Sequence, residues 1–354
     1  MVLCIASQWL VKKMPEFLAR VSFFSYFCDM DYKRNKHRRE WWQEHHEEKG
    51  LERHPSMKRR KPSHDYSSRC IYMITLNTVG RRPVLGTLRA GDDSHPEPWL
   101  EPSALGVKVL SCWQRIAEFY PEVKLLAVQL MPEHMHGVLF VTRPMSKHLG
   151  TVVNGFKAGC NKHSREITGG VLWESGYNDM ILKGEGQLER MKHYVHDNPR
   201  RGWIKRHNRD FFTIKNDVTI GDRQVATVGN QFLLEHPWKI AVRCSRSIKS
   251  DEAIAQEVER FMAMAADGAV LVSPSISPAE KKVMRAAFDA GYPLIVLLEN
   301  GFSPLWKPGG GQFDACADGR LLLVAPWPHH NEYKKITRGQ CQQLNDLARE
   351  IASL

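Results

Sequence analysis

VKLLAVQLMPEHMHGVLFVT, residues 123–142, decides how this chain folds. Val123–Leu130 is an apolar run with strand character, Met131-Pro132-Glu133 a tight connection, and His134–Thr142 a second apolar run. Two such runs three residues apart read as an antiparallel hairpin. Upstream, Cys70–Asn77 (CIYMITLN) is β-branched and aromatic, a further strand. Between it and the hairpin, Ser103 caps a helix in which Leu105, Val109, Trp113, Ile116 and Tyr120 fall at spacings of four, four, three and four, closed by Pro121. Downstream, Ser146 opens a helix with Leu149, Val153, Phe156 and Cys160 on one face, and Tyr177–Leu182 is a short strand. The order β-α-β-β-α-β is the split arrangement of ferredoxin-like domains, an α+β fold. One added helix, Glu185 to about Asn198, carries Leu188, Met191 and Val195 as a stripe to dock on the sheet and ends before Pro199.

The rest of the chain reads differently. Asp251–Ala266, Ala279–Ala290 and Thr337–Ser353 are helical, while Ala269–Ser273, Leu294–Glu299 and Leu321–Ala325 are continuous apolar strands. That alternation predicts a small parallel, Rossmann-like α/β domain. The expected organisation is therefore a basic, flexible arm over 1–66, an α+β domain with a basic extension over 67–244, and the small α/β domain over 245–354. Met30, just before the polar stretch, is a candidate start of translation.

With 50 Lys and Arg against 39 Asp and Glu, the net charge is +11, and it is unevenly placed. Residues 251–354 carry 10 basic and 13 acidic side chains, net −3, so the first 250 carry +14. A basic body suits a polyanionic partner such as nucleic acid, and equally a solvated basic face. Lys58-Arg59-Arg60-Lys61 in the arm, and Arg200, Arg201, Lys205, Arg206, Arg209 and Lys215 against the single acid Asp210, are the densest basic runs. The eight cysteines stand singly with no Cys-x-x-Cys, which excludes zinc ribbons and secreted disulfide scaffolds and predicts reduced thiols in a cytoplasmic protein. No run approaches the ~18 apolar residues of a membrane span.

His134-Met135-His136 on a strand places both imidazoles on one face, half of a divalent-metal site. With 16 histidines in 354 residues, such a triplet arises by chance roughly 0.7 times per chain, so context decides. Tyr194 and Asn198, four residues apart, share a helical face. A phenol beside a metal-polarised phosphate can attack phosphorus, and an amide oxygen can complete the metal's coordination. Spacing alone also allows a packing tyrosine and a helix-capping asparagine.

Leu130-Met131-Pro132-Glu133-His134-Met135-His136-Gly137-Val138-Leu139 resembles the HUH signature of single-tyrosine transposases. Trp173-x-x-Gly176-Tyr177-x-Asp179, Tyr194-Val195-x-x-Asn198-Pro199, and Arg82-Pro83-Val84-Leu85-Gly86 are similar to the branch of REP-associated tyrosine transposases. The resemblance spans about residues 67–206. It implies an enzyme that cuts and rejoins single-stranded, hairpin-forming DNA without ATP, leaving a 5′-phosphotyrosine link and a free 3′-OH. It further implies that His134 and His136 bind Mg²⁺ or Mn²⁺, that Asn198 adds a ligand, and that Tyr194 is the nucleophile. Glu133 departs from the asparagine or aspartate commoner before the first histidine. Arg200, Arg201, Lys205, Arg206 and His196 are candidate DNA contacts, and Tyr177 is a competing nucleophile. His193 and His196 flank Tyr194 and form a competing metal pair. Two other readings stay open: a domesticated DNA-binding protein that no longer cuts, and a replication-initiator or relaxase-type nuclease. The sequence also leaves open whether Tyr194 serves its own histidines or those of a second copy in a homodimer.

Overall fold

In a computed structural model, residues 60–354 are described, apart from 62, 249 and 333. The chain divides into two units, Met1–Lys61 and Pro62–Leu354. Nearly all of the expected arm, including Lys58 and Arg59, lies outside the described residues. Its last part does not behave as an arm: the Tyr66 hydroxyl donates to Asp179 Oδ2 at 2.9 Å and the Tyr66 ring stacks on Tyr72.

The first sheet of the second unit is built from β1 (Cys70–Asn77), β4 (Val123–Met131), β5 (His134–Val141) and β6 (Asn178–Leu182) in the order β4-β5-β1-β6, each neighbouring pair antiparallel. A short hairpin, β2 (Gly86–Arg89) and β3 (Trp99–Pro102), intervenes between β1 and the first helix. Its four-residue strands are too short to show a clear alternation in the sequence. Helix α1 (Ala104–Gln114) starts where expected, with Ser103 Oγ accepting from the Gly106 amide at 3.0 Å. It breaks at Arg115 into the single turn α2 (Ile116–Phe119). Helix α3 (Leu149–Thr168) packs beside α1.

Alternation along the strands divides the side chains between two faces. Tyr72, Ile74, Leu76, Met135 and Leu139 join Val109, Trp113, Val153 and Phe156 in the core under α1 and α3. Met73 and Val138 point to the opposite face, where they meet Val195 of α4 (Gln187–His196), with Leu188 and Met191 beside them. Gly137 makes the first core possible: a Cβ there would lie 2.3 Å from Trp113 Cη2. Because the indole is fully buried, it cannot swing away. Gly137→Ala is therefore expected to cost about 1–3 kcal/mol through overpacking, measured by denaturant unfolding. An unchanged midpoint would show that the indole relaxes freely.

The helix expected over Glu185–Asn198 is α4, and a second helix, not expected from the sequence, follows it. After α4, Asp197 intervenes, and α5 runs Asn198–His207 with Pro199 in its first turn. Proline lacks an N–H that a first turn leaves unsatisfied anyway, so here it opens a helix rather than following one. The basic run after residue 200 is accordingly helical for most of its length.

The second sheet has the order β7-β8-β12-β11-β10-β9, formed by Lys215–Ile220, Arg223–Gly229, Leu321–Ala325, Leu294–Leu297, Val270–Ser273 and Lys239–Ala241 respectively. Its strands β9 to β12 run parallel, and the β7–β8 hairpin adds antiparallel to β12. Helices α6 (Asp251–Ala266) and α7 (Pro278–Asp289) cover one face, where Phe261 and Val283 meet Leu271 and Leu323. Helix α9 (Arg338–Ser353) covers the other, where Leu344 and Ile351 meet Val272 and Val324. Burial on both faces explains the unbroken apolar strands. The short helix α8 (Gly311–Ala317) precedes β12. Residues 215–241, assigned by sequence to the first domain, thus pair into the second sheet. Strand β7 opens on Lys215-Asn216-Asp217 and β8 on Arg223-Gln224, so these strands lack the apolar runs that mark β10 to β12. Among the described residues six cysteines are free thiols, and no helix is long and apolar enough to cross a membrane.

Candidate active site

Strand register brings the first polar groups together. Across β1 and β5, Thr75 faces His136 and Asn77 faces His134. Both histidines project to the α4 side of the sheet, their rings edge to face with centroids 4.9 Å apart. Each is held through one nitrogen. His136 Nδ1 lies 2.8 Å from Thr75 Oγ1, and His134 Nδ1 lies 3.1 Å from Glu133 Oε1. Such partners fix ring orientation and leave the Nε2 lone pairs for a metal. Glu133 also meets Arg206 of α5, Nη2 to Oε2 at 3.4 Å. The hydrogen bond from His134, then the charges of His134 and Arg206, hold its carboxyl below the usual carboxylate range. Glu133 thus ties the histidine strand to α5.

His136 is only 6% exposed, and burial, with the neighbouring His134 second, pushes its imidazole down to about 3. It is neutral at ordinary pH, the form a metal needs. A folded value below the free 6.5 means that the unfolded chain binds the extra proton, so stability falls as pH drops from about 6.5 toward about 3. With metal chelated, the parent should lose up to about 1.4 kcal/mol per pH unit more than His136→Gln across that window. Parallel stability–pH curves for the two proteins would refute this.

Tyr194 stands in the last turn of α4, 40% exposed, its ring 5.6 Å from the His136 ring. Val195, fully buried, pins that turn to the sheet. Tyr177 is only 7% exposed, in the core with Trp173 just before β6. Lys157 holds the loop between these two residues through Glu174 O at 2.6 Å and Gly176 O at 3.0 Å. Asn198 is not on the helix of Tyr194: it begins α5, and its Nδ2 donates to the Tyr194 carbonyl at 2.7 Å. The tyrosine and the asparagine are still locked together, through side chain to main chain. His193 and His196 are exposed on α4.

The basic residues of α5 separate into two groups. Arg206 reaches Glu133, whereas Arg200, Arg201 and Lys205 face α8 of the second sheet. Arg200 bonds Asp197 and Asp314, and the Arg201 guanidinium lies 3.8 Å from the Phe313 ring centroid. Lys205 lies 5.3 Å from the same ring; burial, with Arg201 and Lys307 adding repulsion, pushes its ammonium down to about 8. At the second sheet, the amides of the turn after β10 are engaged. The buried Glu280 carboxylate already accepts from Cys244, Ile276 and Ser277 N–H groups.

No family model matches the chain. An uncharacterised protein of Haemophilus influenzae is 23% identical over 159 residues, covering 38% of this chain and 83% of that protein. Among solved structures, a REP-associated tyrosine transposase bound to a REP hairpin is similar at 14% identity and TM-score 0.32, covering 41% of this chain and 76% of its own. A candidate transposase from Deinococcus radiodurans is similar at 18% identity and TM-score 0.25, covering 40% and 98%. With TM-scores of 0.32 and 0.25, neither likeness bears on the activity of this chain.

Sequence reasoning missed Thr75, Glu133 and Asp197 as supports of the site. Glu133 carried a signal, a carboxylate adjoining a histidine pair. Thr75 carried none, because only the register of β1 on β5 brings it to His136.

Two histidines are by themselves half a coordination shell, and among the described residues no group of three or more His, Cys, Asp or Glu side chains could hold an ion. The donor set fits a labile site for a hard divalent cation, completed by an amide, water and phosphate oxygens. It does not fit a closed structural one.

Proposed function

We propose that this chain is a transposase-like enzyme that cleaves and rejoins single-stranded, hairpin-forming DNA, with Tyr194 as nucleophile. The observation that carries the reading is the ring of an exposed tyrosine set 5.6 Å from a buried, neutral histidine whose strand neighbour offers a second imidazole. We place the chain with the REP-associated branch of the HUH family. The order β4-β5-β1-β6 supports a ferredoxin-like first domain, and the parallel β9-β10-β11-β12 run a Rossmann-like second one.

His134 and His136 would hold Mg²⁺ or Mn²⁺, with Asn198 Oδ1 as a further ligand. When bound, the cation supplies charge neutralisation and polarisation at the scissile phosphate. The chain's residues do the rest. Tyr194 Oη forms a bond to phosphorus as the P–O3′ bond breaks. The phenolic proton leaves through solvent, and the departing 3′ oxygen takes one up, giving a 5′-phosphotyrosine and a free 3′-OH. Attack by another 3′-OH on the phosphotyrosine reverses the exchange, and since each step trades one phosphodiester for another, no ATP is needed. Thr75 and Glu133 orient the imidazoles. Arg206, which reaches Glu133 beside His134, and the exposed His196 are assigned to phosphate contacts. Arg200, Arg201 and Lys205 are given a smaller share, since their charge is engaged at α8.

The test is incubation of the full chain with a labelled single-stranded hairpin and Mn²⁺. A covalent protein–DNA adduct with release of a 3′-OH strand supports the reading. Binding with no adduct favours a non-cutting DNA-binding protein instead.

A further inference from the structure

Asp197 is the single residue between α4 and α5, three after Tyr194 and one before Asn198. Arg200 grips it twice, Nε to Oδ1 at 2.6 Å and Nη2 to Oδ2 at 3.2 Å, and the same Nη2 donates to Asp314 Oδ1 at 2.6 Å. Arg201 approaches Asp197 Oδ2 at 3.8 Å while its guanidinium covers Phe313, a fully buried ring stacked on Phe212. The Asp197 side chain is 13% exposed and that of Arg201 12%. The Asp197 contacts are charge-assisted, bidentate and largely buried, and such contacts hold geometry far better than solvated surface pairs. The Asp314 side chain, 42% exposed, adds one charge-assisted bond to the same Arg200 Nη2. Helix α4 has only ten residues, too few to be stable without tertiary support. The turn bearing Tyr194 is therefore as well placed as Val195 and the Asp197 junction make it.

We propose that Asp314 is a positioning residue for strand cleavage. Through Arg200 it fixes the α4–α5 junction that sets Tyr194 beside His136, and so makes the second domain part of the cutting apparatus. This rests on the reading of Tyr194 as nucleophile. Asp314 acts through the arginine, not on DNA, so its loss should lower the cleavage rate without lowering affinity.

The experiment uses the full chain carrying 3-fluorotyrosine at position 194. Single-turnover cleavage of a labelled hairpin with Mn²⁺, DNA affinity and the ¹⁹F resonance are measured for the parent, Asp314→Arg and Asp314→Glu. Asp314→Arg sets a fourth cation against Arg200, Arg201 and Lys205. It should slow cleavage about 10- to 100-fold, the cost of an ångström-scale misplacement, with DNA affinity no weaker than the parent's and the ¹⁹F line shifted or broadened. Asp314→Glu should restore both the rate and the line. If Asp314→Arg unfolds the second domain by thermal melting, Asp314→Ala, which only deletes the acceptor, is judged by the same criteria. An unchanged rate, a loss that Asp314→Glu shares, a matching loss of affinity, or an unmoved ¹⁹F line overturns the proposal. A parent chain that forms no adduct at Tyr194 sinks the nucleophile reading instead, and the ¹⁹F comparison still decides whether Asp314 places residue 194.

Discussion

Tyr194→Phe should lose covalent strand cleavage by at least about 10³-fold, the scale seen when a nucleophile is removed, while DNA affinity stays within about twofold. Only one oxygen leaves. The ring that meets His136 at 5.6 Å remains, as does the main-chain carbonyl that accepts from Asn198, so neither the α4 turn nor the α4–α5 junction has cause to move. Tyr177→Phe should keep the covalent step. Its ring lies in the core at 7% exposure, and a DNA phosphate cannot reach it without opening that core. Trapping the adduct with a suicide oligonucleotide and mapping it by peptide mass spectrometry separates the two. A nucleotide on the peptide spanning Tyr177, with Tyr194 unmodified, would overturn the assignment.

The elements most legible in the sequence are those that one periodicity governs. Helix α6 and strand β12 fall on the residues expected from apolar spacing, and β1, β4 and β5 differ by at most a residue at their ends. The hairpin of residues 123–142 is readable because both strands are rich in apolar residues and only Pro132 and Glu133 join them. What escaped was set by tertiary context. Strands β7 and β9 are short or half polar and become strands only by pairing with β8 and β10. A division at residue 244 would therefore leave β8 and β9 without their partners β12 and β10. The same limit applied to charge. A count over residues 200–215 cannot distinguish a cation facing solvent from one bound to Asp197 and Asp314. The site was legible as far as His134, His136 and Tyr194, since alternation along one strand and an apolar stripe along one helix bring them to a common face. Their supports, Thr75 across a strand register and Asp197 at a helix break, depend on contacts that no local pattern encodes.

A graded loss on changing the histidines and their partners would separate a metal centre from a merely packed pair. His136→Ala removes a donor that burial keeps neutral, and His134→Ala removes the donor beside it. Each should lower metal-dependent cleavage by at least about 100-fold, more than the ~10- to 100-fold expected for removing an orienting partner. Glu133→Gln and Thr75→Val should fall in that smaller range. Glu133→Gln exchanges a charged acceptor for a neutral amide and loses the Arg206 ion pair, and Thr75→Val deletes the hydroxyl, so both rings are held less firmly while both Nε2 donors stay in the protein. Excess Mn²⁺ should recover much of the loss in Glu133→Gln, because a misoriented ligand weakens affinity, and little in His136→Ala, because the missing donor cannot be supplied by concentration. The order follows from the contacts: Glu133 meets the His134 ring at Nδ1, at 3.1 Å, and Thr75 meets the His136 ring at Nδ1, at 2.8 Å, so neither occupies an Nε2 lone pair. Cleavage assayed across a Mn²⁺ titration, with an EDTA control, measures all four variants. Undiminished cutting in EDTA, or equal losses with no recovery in any of them, would mean that the two imidazoles hold no ion and serve the site in another way.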